Sequence, residues 1–325
     1  MMSIGAVLGQ ATSPLSPTNI FAPASTPAQS IFDLSLMVLA IGAAIFVIVG
    51  GLLAYSVVKF RKRRNDDGRE PAQVYGSQQV ELAWTIIPVI VVLVLFLATA
   101  RAVFGVQGAS KPKGALEVTV VGHQFWWEYR YLGKNVVTAN ELHVPVGEKT
   151  FLTLISADTD HSFWVPRLAG KTDLIPNHPN QMWIEPRETG LFLGQCAQYC
   201  GTQHAMMLLR VYVDSRPDFD RWLKEQAALA RADDAFTEGR KIFEQTACIN
   251  CHAVAGTAAN GRFGPDLTHL MSRETLGAGV VRNTPENLRR WIRRPDDFKP
   301  GSLMPPMGLT EQQLDAVTTY LASLR

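Results

Sequence analysis

Residues 34–58 run for 25 positions without a charged side chain, and residues 82–100 for another 19. A helix needs roughly 20 apolar residues to cross a hydrocarbon core of about 30 Å, so each run is long enough to span a membrane. Core helices of soluble proteins are amphipathic or shorter, which makes two transmembrane helices the economical reading. Composition alone conceals this, because 47% hydrophobic residues is ordinary for a globular chain. Only the charged fraction, 18% against about 25% in typical domains, shows that the apolar residues are concentrated somewhere. Pro88 falls early in the second run, where it kinks a membrane helix without ending it.

Between the runs lies Lys59-Phe60-Arg61-Lys62-Arg63-Arg64, followed by Arg69, a cytoplasmic signature by the positive-inside rule. Residues 1–32 carry no charge and so lack the basic start of a signal peptide. Both ends of the hairpin then lie outside, and everything from about residue 101 faces the periplasm or exterior. The formal charge of +2 gives no support to nucleic acid as a partner. The expected organisation is an outer N-terminal segment (1–33), a transmembrane hairpin (34–101), an all-β domain (110–214), a connector helix (215–234) and an all-α domain (235–325). The β reading rests on β-branched and aromatic runs at 116–121, 125–131, 150–155 and 206–213, broken by Gly, Pro and Asn. Residues 217–230 are helical and Ala-rich in pattern, and 236–245, 285–293 and 310–324 also look helical. Thr310-Glu311-Gln312-Gln313 has the form of a capping box.

The four cysteines, at 196, 200, 248 and 251, make two tight pairs rather than a disulfide framework. The segment from Cys196 through Cys200 and His204 to Met207 places two thiols, an imidazole and a thioether within twelve residues. Such a mixture suits copper. With His161 added there are two Cys and two His, so ligand count alone also admits zinc, and a Cys196–Cys200 disulfide beside unrelated His and Met is the plainer alternative. Cys248-Ile249-Asn250-Cys251-His252 is the attachment signature of a c-type haem, in which two thiols form thioethers and the adjacent His meets the iron.

Three features together resemble subunit II of the haem-copper oxygen reductases over roughly residues 30–213. They are Glu81-Leu-Ala-Trp84-Thr-Ile-Ile-Pro88, Gly122-His-Gln-Phe-Trp-Trp127, and His161 with the C-x3-C-x3-H-x2-M run. The resemblance implies a cupredoxin barrel with a binuclear CuA centre. Cys196 and Cys200 would bridge two coppers, His161 and His204 would take one each, and Met207 and the Gln198 carbonyl would be weak axial ligands. Met206 is the neighbouring thioether, and the H-x2-M spacing favours Met207. With no position left open, such a centre is an electron relay. Gln198 replaces the usual glutamate that also reaches magnesium at subunit I, and a neutral amide is a poorer ligand for that ion. Phe125 stands where many relatives have the tryptophan that receives electrons from an external cytochrome c; Trp126 and Trp127 are the substitutes, set against an ordinary core role. Glu81 matches a glutamate at the mouth of a proton path into subunit I.

Farther on, Lys299-Pro-Gly-Ser-Leu-Met304-Pro-Pro-Met307 resembles the methionine loop of cytochromes c, with Met304, directly before Pro305, preferred to Met307 as sixth ligand. A Met/His pair raises the iron potential. Gly264-Pro265-Asp266-Leu267 resembles the loop covering the proximal histidine, and Gly239 and Tyr320 the crossing of first and last helices. His123, His143, His178 and His269 lack companion ligands and are assigned structural roles. The whole order resembles the caa-type cytochrome c oxidases, whose subunit II carries its own cytochrome c. It implies a multi-pass protein of the bacterial inner membrane, working with subunits I and III of a proton-pumping oxidase. Electrons would pass from an upstream donor (a cytochrome bc-type complex, an alternative complex or a soluble carrier) to haem c, CuA and the haems of subunit I, where oxygen is reduced. A flexible connector near 214–235 would keep the donor domain at high effective concentration. The alternatives are a CuA-type nitric oxide reductase subunit and a membrane-anchored copper-delivery protein.

Overall fold

The computed structural model describes residues 18–61, 73, 75–108, 111, 113–229 and 236–325. The basic positions from Lys62 to Arg69 and the end of the connector, 230–235, lie outside the described residues. Two compact units emerge, one of residues 29–109 and one comprising 1–28 and 110–325.

The first unit is the hairpin. Helix α1 (Thr26–Lys59, 34 residues) and helix α2 (Gln78–Gln107, 30 residues) reach beyond the apolar runs at both ends. At 1.5 Å per residue they are about 51 and 45 Å long, enough to cross the hydrocarbon and enter both headgroup layers. Pro88 sits inside α2 without ending it. No residue in the apolar stretch of either helix is buried by protein, as suits a lipid-facing surface.

In the second unit ten strands build two five-stranded sheets: β1 (Leu116–His123), β2 (Trp126–Tyr131), β3 (Val136–Ala139), β4 (Glu141–Pro145), β5 (Thr150–Ser156), β6 (His161–Trp164), β7 (Thr172–Leu174), β8 (Asn180–Ile184), β9 (Gly190–Cys196) and β10 (Leu208–Asp214). One sheet has the order β3-β2-β1-β5-β8 and the other β4-β10-β9-β6-β7, with β1/β5 and β4/β10 parallel. Alternate residues of β10 turn inward, and Trp127, Tyr129, Leu142, Phe163 and Phe192 fill the space between the sheets. Strands β9 and β10 pair with Leu208 opposite Gln195, so the loop 197–207 must fold back over the end of the sheet. That return is what gathers the copper-type side chains.

Helix α3 (Arg216–Gln226) follows, capped by Ser215, whose hydroxyl accepts from Asp218 N. Its Phe219 is buried in the β-sheet core. The expected flexible connector is corrected over this part. Gln226 Nε2 donates to Ser272 Oγ at 3.1 Å and the Ala228 carbonyl is 3.0 Å from His269 Nε2, so the chain through Ala228 is held at both ends. Beyond it, α4 (Thr237–Gln245), the single turn α5 (Cys248–Cys251), the short strands β11 (Thr275–Leu276) and β12 (Val281–Arg282), α6 (Pro285–Arg293) and α7 (Glu311–Ser323) surround a second core of Phe243, Leu288, Ile292, Val317 and Tyr320. Helix α4 crosses α7 so closely that a Cβ on Gly239 would lie 2.1 Å from the Ala316 carbonyl oxygen. Thr310 and Gln313 cap α7 reciprocally, as their spacing predicts.

Candidate copper and haem centres

Three pieces of the β domain meet at one end: the start of β6 with His161, the end of β9 with Cys196, and the returning loop with Cys200, His204 and Met207. The Cys196 and Cys200 sulfurs are 3.9 Å apart, far beyond the roughly 2.05 Å of a disulfide. Each sulfur has its own imidazole and its own weak donor. Cys196 Sγ is 3.9 Å from His161 Nδ1 and 3.1 Å from the Gln198 carbonyl oxygen. Cys200 Sγ is 3.7 Å from His204 Nδ1 and 3.8 Å from Met207 Sδ. With metal–ligand bonds of about 2.0–2.3 Å, donors this far apart can share an ion between them. Met207 is wholly buried whereas Met206 is 41% exposed, which separates the two thioethers in favour of the former.

The surroundings prepare these donors. His161 Nε2 is 2.7 Å from Asp158 Oδ1, which turns Nδ1 toward the sulfurs as the free lone pair. Burial pushes the His161 pKa down, and the hydrogen bonds to Asp158 and Cys196 outweigh it, so the net shift is upward. A hydrogen bond from the Cys200 thiol holds Cys196 as a thiolate, down to about 3, and the same bond pushes Cys200 up. Gln124 ties the ring of contacts together, its backbone N–H donating to Asp158 Oδ2 at 2.6 Å and its Nε2 to the Cys200 carbonyl at 2.5 Å. A Cβ on Gly122 would come within 2.8 Å of the His161 ring, so glycine is needed there. Asp158 and Gln124 are not found by sequence reasoning, although each lies within three residues of a feature that is: His161 for the one, the Gly122–Trp127 run for the other.

Trp127 is buried with its ring 6.0 Å from that of His161. Trp126 stacks on His123 at 4.2 Å and packs with Ala139 and Ala278. Of the remaining histidines, His143 is stacked between Tyr212 and Trp222 with Nδ1 2.7 Å from Asp214. Glu81 is exposed in the first turn of α2.

In the helical domain Cys248 and Cys251 stand one turn apart with free thiols, and His252 follows. His252 Nδ1 is 2.8 Å from the Pro265 carbonyl oxygen, an acceptor only, so the proton is on Nδ1 and Nε2 keeps its lone pair. Burial pushes the His252 pKa down and keeps the ring neutral, the form that ligates iron. Gly264 lets its loop lie flat on that ring, since a Cβ would be 2.5 Å from His252 Cε1. Met304 Sδ accepts from Trp291 Nε1 at 3.2 Å. Paired thiols and an adjacent neutral imidazole with Nε2 free fit a covalently attached haem.

Comparison with known proteins matches residues 14–100 to the family model "Cytochrome C oxidase subunit II, transmembrane domain". Residues 133–213 match "Cytochrome C oxidase subunit II, periplasmic domain", and residues 236–325 match "Cytochrome c". Cytochrome c oxidase subunit 2 of Alkalihalophilus pseudofirmus is 34% identical over 310 residues, covering 93% of this chain and 90% of the relative. The subunit 2 of Bacillus sp. strain PS3 is 36% identical over 286 residues, covering 82% and 80%. A crystal structure of the periplasmic domain of subunit II of the Bradyrhizobium japonicum cytochrome oxidase is 29% identical, with a TM-score of 0.34, covering 35% of this chain and 95% of that one.

Proposed function

Since the chain belongs to the cytochrome c oxidase subunit II family, with a cytochrome c domain fused at its C-terminus, we propose which of its residues carry the relay. It is the subunit II of a haem-copper oxidase and partner of subunit I, anchored in the membrane by α1 and α2 with its globular domains outside. Cys196, Cys200, His161, His204, Met207 and the Gln198 carbonyl would hold the copper. Cys248 and Cys251 would hold haem c, with His252 and Met304 offering the donors to its iron. When bound, these groups supply reversible one-electron carriage between an upstream donor and the haems of subunit I, where oxygen is reduced to water. The donor is a cytochrome bc-type complex, an alternative complex or a soluble carrier, and subunit III completes the assembly in the bacterial inner membrane.

The observation that carries this assignment is the two-sulfur arrangement, in which each thiol has its own imidazole and weak donor. The protein's work is to keep those donors fixed. Asp158 orients the His161 ring, Gln124 pins the Cys200 backbone, and burial of Met207 excludes water. Fixed ligands leave little to reorganise when one electron arrives. In the assembled oxidase, Cys200→Ser is expected to abolish oxygen consumption while the donor still reduces haem c, which then stays reduced. Oxygen consumption at the parental rate in that variant would contradict the assignment.

A further inference from the structure

Two buried charges cross the boundary between the β domain and the haem domain, in opposite directions. Lys299, 3% exposed, belongs to the haem domain and stands five residues before Met304. Its Nζ donates to the carbonyl oxygens of Phe125 at 2.7 Å and Met206 at 2.9 Å, both in the β domain, and of Gly277 at 3.1 Å. Glu141, also 3% exposed, belongs to β4. Its carboxylate accepts from the backbone N–H of Glu274 at 3.0 Å, the N–H of Thr275 at 2.9 Å and the Thr275 hydroxyl at 2.7 Å, all in the haem domain.

A buried charge without partners is costly, and all three donors to Glu141 and two of the three acceptors of Lys299 come from the opposite domain. Three carbonyls match the three protons of an ammonium and fix the amine in place. Burial pulls the Lys299 pKa down to about 7, and the neighbouring Cys200 works against that pull. Around Lys299 the two functional loops touch directly. Gln203 Nε2, beside His204, donates to the Pro300 carbonyl, and a Cβ on Gly301 would lie only 3.2 Å from Thr202 Oγ1. Leu208 N–H donates to the Ala278 carbonyl at 3.2 Å, and Ala278 packs on Trp126.

We propose that Lys299 and Glu141 form a reciprocal latch that seats the haem domain in one orientation on the copper loop, with Lys299 as a positioning residue for electron transfer between the two centres. The proposal rests on the relay assigned above. A domain held only by its connector would sample many orientations, and transfer would wait for the right one. The latch replaces that search with one geometry, in which the Met304 loop is fastened to the residue preceding Met207. It also covers Phe125, the position of the external donor's port in many relatives, so that electrons reach the copper through the haem domain.

The test uses the full chain in the assembled oxidase. Haem c is photoreduced, copper reduction is followed in time at several solvent viscosities, and amide exchange is read at Leu208, Glu274 and Thr275. In the parent, transfer should be independent of viscosity. In Lys299→Met it should slow by about tenfold or more, because the productive orientation is no longer held. It should also become viscosity-dependent, and the three amides should exchange faster while haem and copper spectra stay parental. Thr275→Val, which removes one donor to Glu141 and touches neither loop, guards against a misfolded Lys299 variant and should shift the same readouts in the same direction by less. Viscosity-dependent transfer in the parent, parental rates and exchange in both variants, or an altered copper spectrum in Lys299→Met would each overturn the latch. Absence of any haem-to-copper transfer in the parent would overturn the relay itself, and the amide exchange would then read the latch separately.

Discussion

The Gln198 carbonyl oxygen lies 3.1 Å from Cys196 Sγ while the residue is exposed, so in the proposed copper site it would contribute through its main chain alone. Gln198→Ala should therefore leave the copper electron-spin spectrum and copper content unchanged, and loss of copper in that variant would show that the side chain is a ligand after all. The side chains of the copper set were legible because four of them fall within twelve residues and the metal's demand for thiolate, imidazole and thioether is written in residue type. Lys299 and Glu141 were not legible. All but one of their partners, the Thr275 hydroxyl, are backbone atoms, 22 to 174 positions away, and a carbonyl or amide carries no sequence signal.

At the scale of elements, periodicity and capping located α4, α6 and α7 within a residue or two, since a helical period or a Thr/Gln box is a local property, whereas α1 begins eight residues before its apolar run and α2 ends seven residues after its own. Strands of two to four residues, such as β3, β7 and β11, were missed because so short a segment is fixed by its neighbours in the sheet. The meeting of α4 and α7 was legible only through resemblance, as Gly239 and Tyr320. Geometry supplies the reason, with Ala316 O at 2.1 Å and Tyr320 Cβ at 2.8 Å from any added methyl. Gly239→Ala forces the helices apart and should destabilise the haem domain by about 2 kcal/mol. Calorimetry on the haem-loaded chain should show its transition lowered by roughly 8–16 °C while the β-domain transition stays put. An unchanged haem-domain transition would mean that the crossing is looser than described.

For the whole molecule, the largest revision concerns the connector. The sequence pattern allowed a tether, but α3 is anchored by Phe219 and the chain through Ala228 is bonded to His269 and Ser272. Nothing in an Ala-rich stretch distinguishes a free helix from a docked one; the difference is made by a buried aromatic and by contacts with a domain later in the chain. The membrane hairpin, by contrast, was legible at once, because lipid imposes a length and a polarity that no soluble fold requires. The donors gathered on this chain would hold two coppers that share a single electron, and one haem. The most direct test is to determine metals and electrons together on the purified, fully oxidised subunit II chain by elemental analysis and reductive titration. Two coppers and one iron accepting two electrons in all is the predicted result. A single copper, or three electrons for the three metals, would contradict it.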